Sequence, residues 1–141
     1  MRVLGLDVGD KRIGIAISDP NNRFAVPLTA LERRSPEDDV AEIARLAASE
    51  DAGEAVVGLP VSLDGVEREQ ARRAREFAAR LESVGLRVRL WDERLSTAQA
   101  ERLLRRDRPQ HRREKGAPDA LAAAIILQGY LDSGREAASS E

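Results

Sequence analysis

The stretch Met1-Arg2-Val3-Leu4-Gly5-Leu6-Asp7-Val8-Gly9-Asp10-Lys11-Arg12-Ile13-Gly14-Ile15-Ala16-Ile17-Ser18 decides the fold. Residues 3–8 read as a buried strand that runs into Asp7-Val8-Gly9-Asp10, where Gly9 and Asp10 make a tight turn. Residues 13–18 alternate, with Ile13, Ile15 and Ile17 on one face and Gly14, Ala16 and Ser18 on the other, the period of two of a strand. So short a link joins antiparallel strands. Beyond the turn-rich Asp19-Pro20-Asn21-Asn22, Phe24, Val26 and Leu28 alternate again, and Pro27 marks a strand end or an edge position. Three meandering strands therefore open the chain.

The pattern then becomes helical. Ser35-Pro36 supplies an N-cap and a first-turn proline, and Val40, Ile43, Ala44 and Ala47 follow at helical spacing. Glu54 to Leu59 is a short apolar strand closed by Pro60. Residues 66–84 form a second helix with Ala74, Phe77, Ala78 and Leu81 towards the core, ended by Gly85. Leu86, Val88 and Leu90 alternate with Arg87 and Arg89 in a fifth strand that leads into Trp91-Asp92-Glu93-Arg94. Ser96 and Gln99 form a capping box for a third helix. A polar arm from about Asp107 to Ala117 precedes a last helix that starts at Pro118 and is apolar all round. Strands that alternate with helices pair in parallel. The expectation is an α/β domain: a mixed five-stranded sheet, an antiparallel three-strand meander plus parallel strands, with helices on both faces. It spans residues 1–134, and the small polar residues 135–141 make a flexible C-terminal tail.

The 141 residues suit one domain. The absence of cysteine excludes a disulfide framework, a thiolate zinc site and a cysteine nucleophile. No basic leader with a long apolar stretch precedes the first strand, and the longest apolar run, Ala120 to Leu127, falls short of the roughly 20 residues that span a bilayer. A cytoplasmic protein without membrane contact is expected. The net charge of −2 does not announce a nucleic-acid binder.

The acids are placed more tellingly. Asp7 ends the first strand, Glu93 follows the fifth, and Asp119 lies in the first turn of the last helix. Parallel strands collect sites at their carboxyl ends. Taken singly, each acid has a plain structural explanation: a turn residue at Asp7 or Glu93, a complement to the helix dipole at Asp119. Together they fall where the topology converges. Clustered carboxylates repel one another and are stable mainly around cations. Oxygen-only ligands suit Mg²⁺ or Mn²⁺, and two such ions about 3.5–4 Å apart hydrolyse phosphodiesters. Gly9 leaves room for a phosphate backbone, and Lys11 and Arg12 stand ready to hold a neighbouring phosphate.

Asp7-Val8-Gly9-Asp10-Lys11-Arg12-Ile13-Gly14, Val57-Gly58-Leu59-Pro60 with Asp64-Gly65, Asp92-Glu93-Arg94-Leu95-Ser96-Thr97, and Lys115-Gly116 with Asp119 before Ala123 to Leu127 occur in order along nearly the whole chain. In these four motifs the chain resembles the RuvX/YqgF family. The resemblance implies a ribonuclease H-like fold and a metal-dependent nuclease that matures the 5′ end of precursor 16S ribosomal RNA or resolves Holliday junctions. Carried over by motif, Asp7, Glu93 and Asp119 are the metal-binding, catalytic acids. Where the family often has Asn after Gly58-Leu59-Pro60, this chain has Ser62, which still hydrogen-bonds phosphate. The related RuvC resolvases carry a fourth acid one helical turn from the last; here those positions are Gly116 and Ala122, which leaves three.

Between residues 105 and 115 six basic residues, Arg105, Arg106, Arg108, Arg112, Arg113 and Lys115, face two acids, Asp107 and Glu114. A basic arm on an acidic body gives local phosphate affinity, and its place between Glu93 and Asp119 in sequence sets it beside the site. Lys11, Arg12, Ser62 and Arg94 complete the expected nucleic-acid contacts. His111 reads as a surface histidine. Arg68, Arg72 and Arg75 form a stripe on the second helix, where Glu69 with Arg73 and Glu76 with Arg80 pair at i,i+4; this reads as a solvated face. Trp91 and Tyr130 are too few for a base-stacking platform. Two other functions remain open at this point. A non-catalytic nucleic-acid-binding module gains nothing from acids near phosphate. A phosphotransferase of the actin and sugar-kinase type uses a similar hairpin but needs two lobes around ATP. Symmetric cuts in a junction would need a homodimer.

Overall fold

A computed structural model describes residues 1–61, 64–95 and 117–139, with side chains of the last segment from Pro118 to Gly134. Strands β1 (Arg2–Val8), β2 (Arg12–Ser18) and β3 (Ala25–Glu32) form the meander. β4 (Ala52–Leu59) and β5 (Arg87–Asp92) complete one sheet in the order β3-β2-β1-β4-β5. β1 pairs antiparallel with β2 and parallel with β4, and β5 runs parallel to β4. This is the mixed sheet that the sequence leads one to expect.

Helices α1 (Pro36–Ser49) and α2 (Glu69–Ser83) cover one face. There Leu4, Leu6, Ile13, Ile15 and Ile17 pack on Val40, Ile43, Ala74, Phe77 and Leu81. Helix α3 (Ala117–Ser139) covers the other, with Ala123, Ala124, Ile126 and Leu127 against Val3, Ala16 and Val56. The alternating side chains of β1 and β2 are thus buried on both faces. A close approach makes the second face possible: a Cβ at Gly5 would stand 2.7 Å from the Cβ of Leu127. Buried Gln128 locks α3 to the edge strand, accepting from the Ala25 N–H at 2.9 Å and donating to the Arg23 carbonyl at 3.0 Å. Ser18, also buried, accepts from the Val3 N–H at 2.9 Å.

Several boundaries differ from expectation for local reasons. α2 starts at Glu69 rather than 66. The Asp64 carboxylate accepts from the Val66 N–H at 3.0 Å, and Val61 bridges Glu67, so the chain before α2 is spent on a turn. β3 is an edge strand, as Pro27 signals, but Phe24 and Leu28 are exposed while Ala25 and Pro27 are buried. Pro27 lacks an N–H for the ladder, and the register slips there, Ile15 facing Thr29 and Ala16 facing Pro27. The α1 cap is as expected, with Ser35 accepting from the Asp38 N–H at 3.1 Å. Arg80 pairs with Glu37 of α1 at 3.3 Å rather than with Glu76. The α3 backbone continues past Gly134 to Ser139, into the segment whose composition marks a tail; Arg135, Glu136, Ala137 and Ala138 are good helix formers. The helix capped by Ser96 and Gln99, the basic arm and His111 lie outside the described residues. No described helix is long and apolar enough to cross a membrane.

Candidate active site

Asp7 is the seventh residue of the chain and shares the α3 face of β1 with Val3 and Gly5. Across the antiparallel ladder it faces Gly14 of β2. Any side chain at Gly14 would occupy the space of the Asp119 carbonyl. The missing Cβ therefore lets the first turn of α3 rest on β2 beside Asp7, which brings a residue from the far end of the sequence to the first strand. Asp119 does not stand free there. Its Oδ2 accepts from Arg12 Nε at 3.0 Å, in a pair that is about one-third exposed on each side.

Glu93 arrives from the other side. It opens a short 3-10 turn, Glu93–Leu95, immediately after β5. β4 lies between β5 and β1, so its side chain must cross a strand to approach Asp7. Gly58 of β4 provides the crossing: a Cβ there would stand 2.7 Å from Glu93 Oε1 and 2.6 Å from Ile126 Cδ1. Asp7 and Glu93 then line one cleft of about 130 Å³ with Asp10, Arg33, Gln70 and Arg73. A larger hollow, about 640 Å³ and lined by Met1, Glu54, Arg87 and Tyr130, contains none of the three acids.

Burying like charges near one another raises their proton affinity. The Asp7 carboxyl is raised above its ordinary value by burial and then by the charge of Asp119. Glu93 is pushed up to about 7 by burial, then by Asp7 and Asp92. Asp92 moves the other way, held below the usual range by hydrogen bonds from Arg94.

Residues 1–133 match the profile of the RuvX family, described as Holliday junction resolvase. The chain belongs to the RuvX family. It is 48% identical over 133 residues to a protein of Anaeromyxobacter dehalogenans 2CP-1, covering 94% of this chain and 97% of that one. It is 49% identical over 138 residues to a protein of Anaeromyxobacter sp. Fw109-5, covering 97% and 100%. Both bear the name "Putative pre-16S rRNA nuclease". Among solved structures, Thermus thermophilus RuvC in complex with a Holliday junction substrate superposes with a TM-score of 0.60 at 15% identity, over 95% of this chain and 96% of that one. The likeness is one of fold, ribonuclease H-like, as the motifs imply.

In this RuvX chain the expected basic contacts are disposed unevenly. Lys11 is exposed at the β1–β2 turn. Arg12 is engaged with Asp119. Arg94 chelates Asp92, with Nη2 at 2.7 Å from Oδ2. Ser62, Arg105, Arg106, Arg108, Arg112, Arg113 and Lys115 lie outside the described residues. Gly9 has a reason internal to the turn: its N–H donates to the Arg12 carbonyl at 2.9 Å, and a Cβ would stand 2.8 Å from that same oxygen.

The sequence motifs contain Gly14 and Gly58 without revealing what they do, and no local pattern points to Arg33. Arg33 donates Nε to Asp39 at 3.0 Å and Nη1 to the Gly9 carbonyl at 2.9 Å, and it lies 5.5 Å over the Phe77 ring. Asp39 is 3% exposed, so Arg33 is a fixed cation under the turn.

The donors Asp7, Glu93 and Asp119 are all hard oxygens, which suits Mg²⁺ or Mn²⁺, and a cation would reverse the raised proton affinity of the first two. Among the described residues no three acidic or imidazole groups stand close enough to hold an ion as they are. Asp7 and Glu93 line one cleft, and Asp119 is engaged through its Oδ2 with Arg12.

Proposed function

We propose that this chain is a cytoplasmic, divalent-metal-dependent endonuclease that hydrolyses phosphodiester bonds in structured nucleic acid, with Asp7, Glu93 and Asp119 as its working acids. Membership of a family whose members are named nucleases supports the activity. One observation supports the assignment of residues: two half-buried carboxylates, one in β1 and one just after β5, line one cleft across Gly58, with Glu93 pushed up to about 7. Such an arrangement costs the metal-free fold stability, and perturbed carboxylates in a cleft cluster at functional sites.

Mg²⁺ or Mn²⁺ at these acids supplies water activation and charge stabilisation on the leaving oxygen. The chain's residues do the rest. Asp7, rooted in the central strand, fixes the position of the site. Glu93 reaches over Gly58 and would hold the ion as a carboxylate, its proton released on binding. Arg12 neutralises Asp119 in the free protein, and its guanidinium, once released, faces a substrate phosphate.

The substrate favoured by the relatives' name is precursor 16S rRNA, and the motif resemblance points to its 5′ leader. The family description favours a second reading, a four-way DNA junction cut by a homodimer. The test offers both substrates to purified protein with Mg²⁺ and with Mn²⁺. The parent should cut at least one, and Asp7→Asn, Glu93→Gln and Asp119→Asn should each abolish cutting while retaining the parent's circular dichroism. Variants that cut at the parental rate would remove the assignment; well-folded parent protein that binds substrate but never cuts would favour a binding module.

A further inference from the structure

The cleft that holds Asp7 and Glu93 has a second wall, and it is cationic. It includes Asp10 and Arg33 from the turns beside β1 and β3, and Gln70 and Arg73 from α2. Four arginines at and after the start of α2 differ in what they pair with. Arg68 pairs with Asp64, Arg72 with Glu69, and Arg75 is held by both oxygens of Glu67 at 2.6 and 2.8 Å. These three form the salt-bridged outer face that the sequence leads one to expect. Arg73 keeps the expected i,i+4 pair with Glu69 but makes a second one off the helix. Its Nη1 reaches across the cleft to Asp10 Oδ1 at 2.8 Å, and its contact with Glu69 on its own helix is long, 3.6 Å.

We propose that Arg73 is a substrate-binding residue of this cleft, parked on Asp10 in the free protein and transferred to a backbone phosphate when nucleic acid enters. The inference rests on the nuclease reading and adds to it a contact from a helix outside the family motifs. Both partners of the Arg73–Asp10 pair are more than half exposed, so water screens the pair and little is lost on breaking it. A phosphodiester offers the guanidinium two acceptor oxygens and a full charge. Asp10 sits three residues after Asp7, in the turn that follows β1, and lines the same cleft, so a phosphate that displaces it lies next to the acids. Arg33 holds that turn from beneath through the Gly9 carbonyl, which gives the exchange a fixed floor. Asp10 keeps the arginine over the cleft and also excludes weak anions.

The experiment measures binding and cutting separately. Parent, Arg73→Gln, Arg73→Lys, Asp10→Asn and Arg75→Gln are titrated against a fluorescent four-way DNA junction and a precursor 16S leader RNA, in EDTA, over a range of salt. Cutting is then followed with Mg²⁺. Arg73→Gln should bind about tenfold more weakly at low salt, and its plot of log affinity against log salt should be shallower by about 0.7–0.9, one phosphate contact. Arg73→Lys should recover part of the affinity, Asp10→Asn should bind up to about fivefold more tightly, and Arg75→Gln should match the parent. An Arg73→Gln variant with the parent's affinity and salt slope on both nucleic acids overturns the proposal. So does equal weakening by Arg75→Gln, which would make the effect one of general charge. If the parent binds but cuts neither substrate, the nuclease reading fails while the binding arm still decides on Arg73; if the parent binds neither, both fail.

Discussion

At the scale of single residues, Glu93 is, among the described acids, the one pushed furthest above its ordinary value. Its folded-state value of about 7 lies above the ordinary 4.5, and Asp7 is shifted in the same direction. An acid with a raised folded value gives the native state extra proton affinity. Its contribution to stability is fully present below about pH 4.5 and is lost as pH rises through about 7. Metal-free protein should therefore lose thermal stability across that interval, by a few degrees, since about 1 kcal/mol moves a domain of this size by about 3–4 °C. Glu93→Gln should flatten the profile and raise Tm at neutral pH, and Mg²⁺ should stabilise the parent more than the variant. Calorimetry of parent and variant at matched pH, with EDTA and with Mg²⁺, measures all of these. A parent whose stability is level or rising between pH 4.5 and 7 would mean that burial and the neighbouring charges do not raise the proton affinity of Glu93.

At the scale of elements, the site exists because two strands lack side chains where others must pass. The two glycines should respond differently to substitution. At Gly58 the added methyl meets the far ends of Glu93 and Ile126, which can swing aside. Gly58→Ala should cost about 1–3 kcal/mol, displace Glu93 from Asp7, flatten the pH profile as Glu93→Gln does, and remove most cutting. At Gly14 the methyl meets the backbone of α3 itself, so the helix must lift off β2. Gly14→Ala should lower the urea midpoint by more than Gly58→Ala does. Equal midpoints would show that α3 does not bear on Gly14. The strands, their pairing and the convergence of Asp7 and Glu93 were legible because period-2 alternation and strand-end position follow directly from chain geometry. The glycine crossings were not, because a glycine within a strand reads only as a weak strand residue until its neighbour across the sheet is known. Arg73 escaped for a related reason. Helical periodicity tells which residues share a face with Arg72 and Arg75, and not that the β1–β2 turn comes to stand opposite one of them. The Arg12–Asp119 pair joins residues 107 apart, and no local pattern encodes it.

At the scale of the molecule, the question is how many copies act on one substrate. A leader RNA needs one cut per active site, so one protomer suffices. A four-way junction needs two cuts in strands of like polarity, related by a two-fold axis, so two protomers must bind it at once. Mixtures of parent with Glu93→Gln separate the cases wherever on the surface two protomers meet. If protomers act singly, the rate falls in proportion to the parental fraction and every product is complete. If two act together on a junction, mixed pairs make one cut and stop, so singly nicked junctions accumulate and peak near equal proportions, while fully resolved product falls with the square of the parental fraction. Glu93→Gln serves because it changes a charge in the cleft and leaves the sheet and α3 packing intact. Sedimentation of each complex supplies the independent count of protomers. A linear fall with no nicked junction, together with one protomer per leader RNA, assigns the activity to RNA processing; the quadratic fall with two protomers per junction assigns it to resolution.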